Sequence, residues 1–302
     1  MPVANAFAEK ATKFLPILDE VYKKEAVTSI LEAPGVQFSG TRKIKVPKIT
    51  LDGAGDYDRT NGYTSGAVNV EYGEYELEQD RGRRFRIDVL DDDEAAFDLY
   101  RRVVTEYVRV KEIPEVDAYR FSKIAALAGK VVPEAIAAGG ALTAFDAARK
   151  YLIDTEVNLS NLAMFVSSDY ELALRQDPSI QRRYDVNVNN ANINRNVNML
   201  DGIVPVIVVP APRFYDVIQL NDGKTSGQEA GGYKTVAGTS KALNFVLAPI
   251  STMQAITKRT NTKIITPEVN QNADAYDVLY RLFHDLIVLD NKKASIYVSK
   301  GV

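Results

Sequence analysis

Alternating apolar and charged residues mark a strand-forming region between residues 68 and 90. Tyr75 and Leu77 alternate with glutamates, and Phe85 and Ile87 alternate with arginines. A two-residue period is typical of strands that bury one face and expose the other. The region is therefore predicted to be β-structure.

Two pairings of this region are consistent with the sequence. In the first, residues 81–83 form a hairpin loop, and opposite charges pair across the two strands. In the second, residues 68–80 pair backwards with 42–51, and residues 83–90 join another sheet. The second pairing leaves a long projection with the turn-rich segment 52–67 at its tip. Such a ribbon has few residues with which to form a core of its own.

Helical periodicity dominates two other segments. Residues 1–33 are predicted to form an arm of one or two short amphipathic helices, broken at Pro16. The apolar positions that share one stripe of this arm are Phe7, Ala11, Phe14 or Leu15, and Leu18. A long helix is predicted from about residue 93 to about residue 128, with a kink or a restart at Pro114. The acidic run 91–94 stands at its start, where capping of free amides is favoured over a magnesium site.

Beyond Gly129 helices and strands alternate in an order typical of an α+β domain. Thr143 is the expected cap of one helix, and Ser168 with Glu171 is the expected capping box of another. The other expected elements are a strand at 162–168, an exposed Asn-rich loop at 187–198, a buried strand at 203–210, a glycine-rich loop at 222–239, a strand at 242–248, a helix at 249–259, a strand at 262–268, and a long strand from 275 that turns at 290–292 and returns as a short strand.

Composition narrows the classes of function. The chain has 302 residues, of which 46% are hydrophobic and 25% are charged, and its formal net charge is -3. It has no basic run of the kind that neutralises nucleic-acid phosphates. The absence of cysteine excludes disulfides, thiolate catalysis and thiolate metal sites. No apolar run is long enough to cross a bilayer, and a secretory signal peptide is not expected.

Candidate catalytic and binding residues are few. The single histidine, His284, lies in an alternating strand pattern, which favours a packed side chain over a catalytic one. The segment "DGKTSG" at 222–227 lacks the glycine that a phosphate-binding loop needs at the position of Ile218. The segment "DGAGDYD" at 52–58 lacks the complete ligand set of a calcium loop and is better explained as a mobile loop tip. We therefore predict no catalytic, cofactor-binding or metal-binding residues, no cofactor, and no enzyme activity.

Four segments carry a resemblance to a known family. In chain order they are "LEQDRGRRFRIDVLD", "VKEIPEVDAYRFSKIA", "MLDGIVPVIVVPAPRF" and "FHDLIVLDNKKASIYVS". Each motif is weak alone, but their shared order and spacing is more specific. Over essentially its whole length the chain resembles the major capsid proteins of tailed bacteriophages with the Hong Kong 97 fold.

The resemblance implies an α+β fold with an N-terminal arm, an extended β-hairpin loop, a peripheral domain with a long spine helix, and an axial domain. The corresponding ranges are 1–38 for the arm, 39–80 for the extended loop, 81–132 with 268–302 for the peripheral domain, and 133–267 for the axial domain. In this family the extended loop lies across a neighbouring subunit. A neighbour would thus supply the contacts that the charged ribbon lacks on its own subunit.

The implied function is that of a major capsid (coat) protein, which self-assembles into hexamers and pentamers and closes an icosahedral shell around double-stranded phage DNA. The implied partners are other copies of the chain, a portal, and separate scaffolding or decoration proteins. No membrane and no sequence-specific DNA contact is expected. The implied location is the virion capsid, assembled in the host cytoplasm.

Cross-linking of subunits is not predicted. Some members of the family join a lysine of the extended loop to an asparagine near the other end of the chain. Lys43, Lys45 and Lys48, with Asn291, supply these residue types, but nothing in the sequence shows that they meet.

Two alternatives stay open. An encapsulin-type nanocompartment shell has the same fold and encloses cargo enzyme instead of DNA. A small-molecule-binding or hydrolytic α+β enzyme would place its site within residues 130–268, with His284 and Asp285 as the first side chains to test.

Overall fold

The architecture was analysed in a computed structural model. The residues that it describes are 26–33, 43–90, 99–137, 139–181 and 197–302. Three predicted features lie outside them: the apolar stripe of the arm in residues 1–25, the acidic run 91–94, and all but the last two residues of the Asn-rich segment. Within the described ranges, no helix is long and apolar enough to span a membrane.

The strands form two larger sheets, a two-stranded ribbon and a small hairpin. In chain order they are β1 (Lys43–Leu51), β2 (Val68–Glu76), β3 (Gln79–Asp88), β4 (Lys130–Pro133), β5 (Leu162–Ser167), β6 (Met199–Leu200), β7 (Val204–Val209), β8 (Ile218–Leu220), β9 (Tyr233–Thr235), β10 (Leu243–Pro249), β11 (Met253–Ile265), β12 (Ala275–Val288) and β13 (Tyr297–Lys300).

Helices cover both faces of the larger sheet. The α-helices are α1 (Leu99–Tyr107), α2 (Ile113–Leu127), α3 (Ala141–Asp154), α4 (Ser168–Gln176) and α5 (Pro178–Gln181). Short 3-10 helices lie at Val27–Leu31, Ala211–Arg213, Ile250–Thr252 and Asp290–Ser295.

One long helix, 99–127, runs through the subunit, and we call it the spine helix. It consists of α1, a π-helical turn at Val108–Glu112, and α2. Pro114 has no N–H to donate, and its ring crowds the carbonyl four residues earlier. The wider π-helical turn just before the proline lets the helix continue past it. The predicted long helix is thus present, and the irregularity expected at Pro114 is this turn.

The six-stranded sheet has the strand order β4-β13-β10-β5-β7-β6 and forms the main core. All six residues of β5 are buried, because helices cover both faces of the sheet. On one face Phe165 meets Phe121 of the spine helix, with ring centroids 5.2 Å apart. On the other face Met164 packs in a cluster that includes Phe145 of α3. Adjacent residues of one strand therefore serve two separate cores.

The three-stranded sheet, β11-β12-β3, decides between the two pairings proposed for residues 68–90. β2 pairs with β1, and β3 pairs with β12, so the second pairing is confirmed. The predicted hairpin loop at 81–83 is wrong, because Gly82 lies within β3 and pairs with Arg281 of β12. A Cβ atom at Gly82 would lie 2.6 Å from the carbonyl oxygen of Tyr280. The glycine therefore allows a close approach of two strands and makes no turn.

Three other local predictions are wrong. Residues 253–259 of the expected helix 249–259 belong to β11, which pairs with β12 along most of its length. Thr143 does not cap α3, because that helix begins earlier, after Gly140. Ser167, and not Ser168, caps α4: its hydroxyl accepts a hydrogen bond of 3.1 Å from the backbone N–H of Tyr170.

The predicted short last strand, β13, is present, but it pairs with β10 and β4 instead of returning along β12.

A buried carboxylic acid lies in the π-helical turn. Glu112 is only 4% exposed, and the Tyr107 hydroxyl is hydrogen-bonded to it. Burial first, and then the nearby Glu115 carboxylate, raise the pKa of Glu112 to about 7. Glu112 is therefore largely protonated below neutral pH, which spares the helix an uncompensated buried charge.

The raised pKa of Glu112 predicts a pH-dependent loss of stability. Because the unfolded chain ionises this group at lower pH, its favourable contribution is complete below about pH 4.5 and is lost as pH rises through about 7. Glu112→Gln removes the group. Between pH 4.5 and pH 8, the free energy of unfolding of the variant should therefore rise relative to that of the wild type by up to roughly 3 kcal/mol.

Urea unfolding at the two pH values measures this difference, and other titrating groups cancel in the comparison. A difference between wild type and Glu112→Gln that does not change with pH would show that the group is not held protonated.

Candidate assembly surface

The ribbon formed by β1 and β2 has two distinct faces. Its antiparallel register runs without interruption from Lys43 opposite Glu76 to Leu51 opposite Val68. Residues directly opposite each other point to the same side, and successive residues point to opposite sides. The anchored face consists of Ile44, Val46, Lys48, Thr50, Asn69, Glu71, Gly73 and Tyr75. The open face consists of Lys43, Lys45, Pro47, Ile49, Leu51, Val68, Val70, Tyr72, Glu74 and Glu76.

The anchored face holds the ribbon to the body at its base. Ile44 and Tyr75 pack against a small cluster that contains the fully buried Leu77 and Phe283 of β12. The Tyr75 hydroxyl also accepts a hydrogen bond of 3.2 Å from the backbone N–H of Asp290. Further from the base, side chains on this face become polar, so the apolar contact with the body ends there.

The open face carries an apolar stripe that nothing in the described residues covers. This open stripe consists of Pro47, Ile49, Leu51, Val68, Val70 and Tyr72. Ile49 is 59% exposed, and Leu51 and Val68, which lie opposite each other, are 66% and 67% exposed. Ile49 lies directly opposite Val70, so the stripe is continuous across both strands. Continuous exposed apolar surface of this kind marks a contact site.

The base of the open face is charged instead. Glu74 accepts from both Lys43 and Lys45, at 3.3 and 2.9 Å. The hydrogen bond from Lys45, followed by that from Lys43, lowers the pKa of Glu74. Two of the three lysines considered for cross-linking, Lys43 and Lys45, are thus paired with Glu74 of their own subunit.

The tip of the ribbon is built from turns. Asp52 accepts a hydrogen bond of 2.7 Å from the backbone N–H of Ala67, which closes the neck of the tip. Asp58 accepts from the backbone N–H of Thr60 and the side-chain amide of Asn61, and the Thr60 bond contributes most to lowering its pKa. The Asp58 oxygens therefore serve the loop itself. No group of three or more potential metal ligands from His, Cys, Asp and Glu occurs in the part of the chain that the structure describes.

A buried carboxylate joins the base of the ribbon to the spine helix. Asp285 of β12 is fully buried and accepts from the backbone N–H of Glu78 at 2.9 Å. It also accepts from the Tyr119 hydroxyl at 2.8 Å and from the Lys123 ammonium at 2.5 Å. One side chain thus fixes three elements: the strand, the helix, and the junction between β2 and β3.

A second buried carboxylate fixes the segment before the ribbon. Asp117 of the spine helix accepts from the backbone N–H groups of Val27 and Thr28 at 3.0 and 3.1 Å. It also accepts from Arg213 at 2.9 Å, so it links the 3-10 helices Val27–Leu31 and Ala211–Arg213 to the spine helix. Sequence reasoning did not single out Asp117, and it named Asp285 only beside His284 as a residue to test for catalysis. The structural role of both was missed, although an aspartate that is buried requires a partner.

His284 is a packed side chain, as the strand pattern predicted. It is 3% exposed, and its ring meets that of Tyr119 edge-to-face at 5.7 Å. Burial first, and then the charge of Arg120, lower its pKa to about 4, so it is neutral at pH 7. Although His284 adjoins Asp285, the carboxylate is already occupied by the helix and the ribbon. The pair therefore has the contacts of a structural joint.

The glycine-rich segment after β8 does not form a phosphate cradle. Asp222 accepts from the Thr225 hydroxyl at 2.6 Å and from the backbone N–H groups of Lys224 and Thr225, both at 2.8 Å. The hydroxyl bond first, and then the two backbone bonds, lower the pKa of Asp222 to about 2. The amides that could hold a phosphate are therefore used by an acid of the loop. Arg81 and Arg83 of β3 donate to backbone carbonyls of this loop, which fixes it against the three-stranded sheet.

The structure is similar to solved structures of bacteriophage capsids and heads. A chain of the mature capsid of bacteriophage PhiM1 matches with a TM-score of 0.68 and 11% identity, over 97% of this chain and 92% of that chain. A chain of the capsid of cyanophage P-SCSP1u gives 0.65 and 11%, over 97% and 93%. A chain of the head of Helicobacter pylori bacteriophage KHP40 gives 0.63 and 11%, over 96% and 94%.

No protein-family model and no curated protein matches the sequence. At 11% identity the structural likeness establishes the fold alone. The predicted α+β fold of the Hong Kong 97 type is therefore confirmed, and it extends over nearly the whole chain.

The joint at Asp285 gives a stability prediction. Asp285→Asn leaves the half-buried Lys123 without its carboxylate and weakens the bond to Glu78, so the free energy of unfolding should fall by roughly 3 kcal/mol. The matched control is Asp201→Asn, which removes the more exposed ion pair with Arg149. That change should cost less than about 1 kcal/mol. Equal losses in the two variants, measured by urea unfolding, would contradict the role given to Asp285.

Proposed function

We propose that the chain is the major capsid protein of a tailed bacteriophage, which assembles into hexamers and pentamers and forms an icosahedral shell around double-stranded DNA. The observation that carries this proposal is the open stripe on the β1–β2 ribbon. The fold shared with phage capsid chains supplies the context, because it is the fold of proteins found in assembled shells.

The open stripe supports assembly because the ribbon is incomplete on its own. A two-stranded ribbon is only marginally stable in water, and side chains such as Ile49 and Leu51 gain free energy when a second surface removes them from water. The described body contacts only the anchored face near Ile44 and Tyr75. A second copy of the chain is therefore the proposed partner of the open face.

The division into domains is part of the proposal. Strand pairing supports a peripheral unit built from β3, β12 and the spine helix, and an axial unit built around β5, β7 and β10. Three strands pair across the proposed limits at residues 132 and 268. β11, from the axial range, joins β12, whereas β13 and most of β4, from the peripheral range, join the sheet that contains β10. Each unit is thus completed by a strand from the other range, which favours a rigid subunit from which the ribbon projects.

The proposal assigns the chain a structural role without catalysis. The neutral, buried His284 and the carboxylates that serve as joints support this role. The proposed location is the virion capsid after assembly in the host cytoplasm. A portal and separate scaffolding or decoration proteins are proposed as further partners. The net charge of -3 favours a shell that encloses DNA without binding a particular sequence.

Electron microscopy and sedimentation of the purified protein test the proposal. The wild-type chain should form large closed particles or capsomers. Ile49→Asp with Val70→Asp places two charges on the open stripe and should leave the protein as small species, without lowering its melting temperature by more than the control. The control, Thr50→Asp with Asn69→Asp, places the same charges on the neighbouring cross-strand pair of the anchored face, where both residues are exposed. It should still assemble.

Two outcomes would contradict the proposal: a wild-type protein that stays monomeric across salt and concentration, or an Ile49→Asp/Val70→Asp variant that assembles as well as the control. The contents of purified particles then separate the two kinds of shell. Packaged DNA supports the phage capsid, and a co-purifying cargo enzyme supports the encapsulin-type compartment.

A further inference from the structure

An apolar groove lies between the start of the described chain and the spine helix. It has a volume of about 600 Å³, and its lining includes Ala26, Val104, Val108 and Ile113. Of its other lining residues, Ser29, Thr105 and Arg109 are polar. Val104, Val108 and Ile113 are only partly buried. Val104 and Val108 are four residues apart and therefore lie on one side of the helix, one turn from each other. The groove thus presents apolar side chains of the spine helix from Val104 to Ile113.

The chain reaches this groove at a fixed point. The backbone N–H groups of Val27 and Thr28 donate to Asp117, and Val27 and Leu31 are buried in the main core. These contacts hold the 3-10 helix Val27–Leu31 in one position on the spine helix. Ala26, the residue just before it, lines the groove. Residues 1–25 are therefore joined to the body at the edge of the groove.

The sequence of residues 1–25 complements the groove. Phe7, Ala11 and either Phe14 or Leu15 recur at helical spacing. From Phe7 to Leu15 an α-helix rises about 12 Å, and from Val104 to Ile113, which includes the wider π-helical turn, the spine helix rises at most about 13.5 Å. The ten residues between Leu15 and Ala26 can span up to about 33 Å, so the tether permits this contact.

We propose that the apolar stripe of residues 7–15 docks into this groove on its own subunit. The tether favours the same chain as the occupant, since a short linker raises the effective concentration of a segment to the millimolar range. The contact would cover Val104 and Val108 with the arm. It is separate from the open stripe of the ribbon and requires no assembly into particles.

Disulfide trapping tests the proposal cleanly, because the natural chain has no cysteine. Val108→Cys is combined in turn with Ala11→Cys, Phe14→Cys and Leu15→Cys in the full-length chain, under mild oxidation in dilute solution. At least one pair should form a disulfide within one chain, seen as a faster-migrating monomer on a non-reducing gel. Lys13→Cys with Val108→Cys is the matched control, and it should react at least about tenfold more slowly, a difference of about 1.4 kcal/mol.

Three results would overturn the proposal: no intrachain disulfide from any stripe position, a control that reacts as fast as the stripe, or disulfide-linked dimers as the main product. Dimers would mean that a second copy fills the groove. Maleimide labelling of Val108→Cys alone gives an independent measurement. Adding Phe7→Asp and Phe14→Asp should speed labelling about tenfold if the arm covers this position, and an unchanged rate would reject the contact.

Discussion

The ribbon's attachment to its subunit at one end and on one face is the constraint from which its proposed role follows. Leu77 and the Asp285 joint hold the base, where apolar packing and a buried network of hydrogen bonds coincide. Beyond Val46 and Gly73 the anchored face turns polar, while the opposite face is apolar there. A strand pair with this pattern presents its apolar stripe on the side away from its own body. These side chains gain free energy when another surface removes them from water, which is the basis of the proposed assembly.

Buried carboxylates connect the parts of the subunit from which the ribbon projects. Asp117 joins the segment after residue 25 to the spine helix and to Arg213, and Asp285 joins the ribbon base to the same helix. A buried charge is costly unless several donors surround it, so each of these sites tolerates little displacement. The spine helix therefore acts as a common support for the segment 26–33, the base of the ribbon and the sheets. Its one irregular turn, at Val108–Glu112, carries a buried carboxylic acid whose pKa is raised to about 7.

The sequence predicted the parts of the fold that local pattern controls. Alternation identified β2, β3 and β12, and one of two stated pairings of the ribbon is correct. Prediction from the sequence failed where contacts between residues far apart in the chain determine the structure. Gly82 resembled a turn, but it permits two strands to approach closely, and the β12 partner that makes β11 a strand is invisible locally. The open stripe was recognisable as alternation, whereas its exposure was not, because exposure depends on which face the body covers. The structural roles of Asp117 and Asp285 were missed because their partners are remote in sequence.

Hydrogen exchange of the ribbon amides tests the central claim most directly. The comparison is between dissociated subunits and assembled particles of the same protein, with peptides covering 46–51 and 68–72 followed by mass spectrometry. If the open face needs a neighbouring copy, these amides should exchange rapidly in the subunit and become strongly protected in the particle, while β5 stays protected in both. Equal and strong protection of the ribbon in the isolated subunit would contradict the account, because the ribbon would then be stable without a partner.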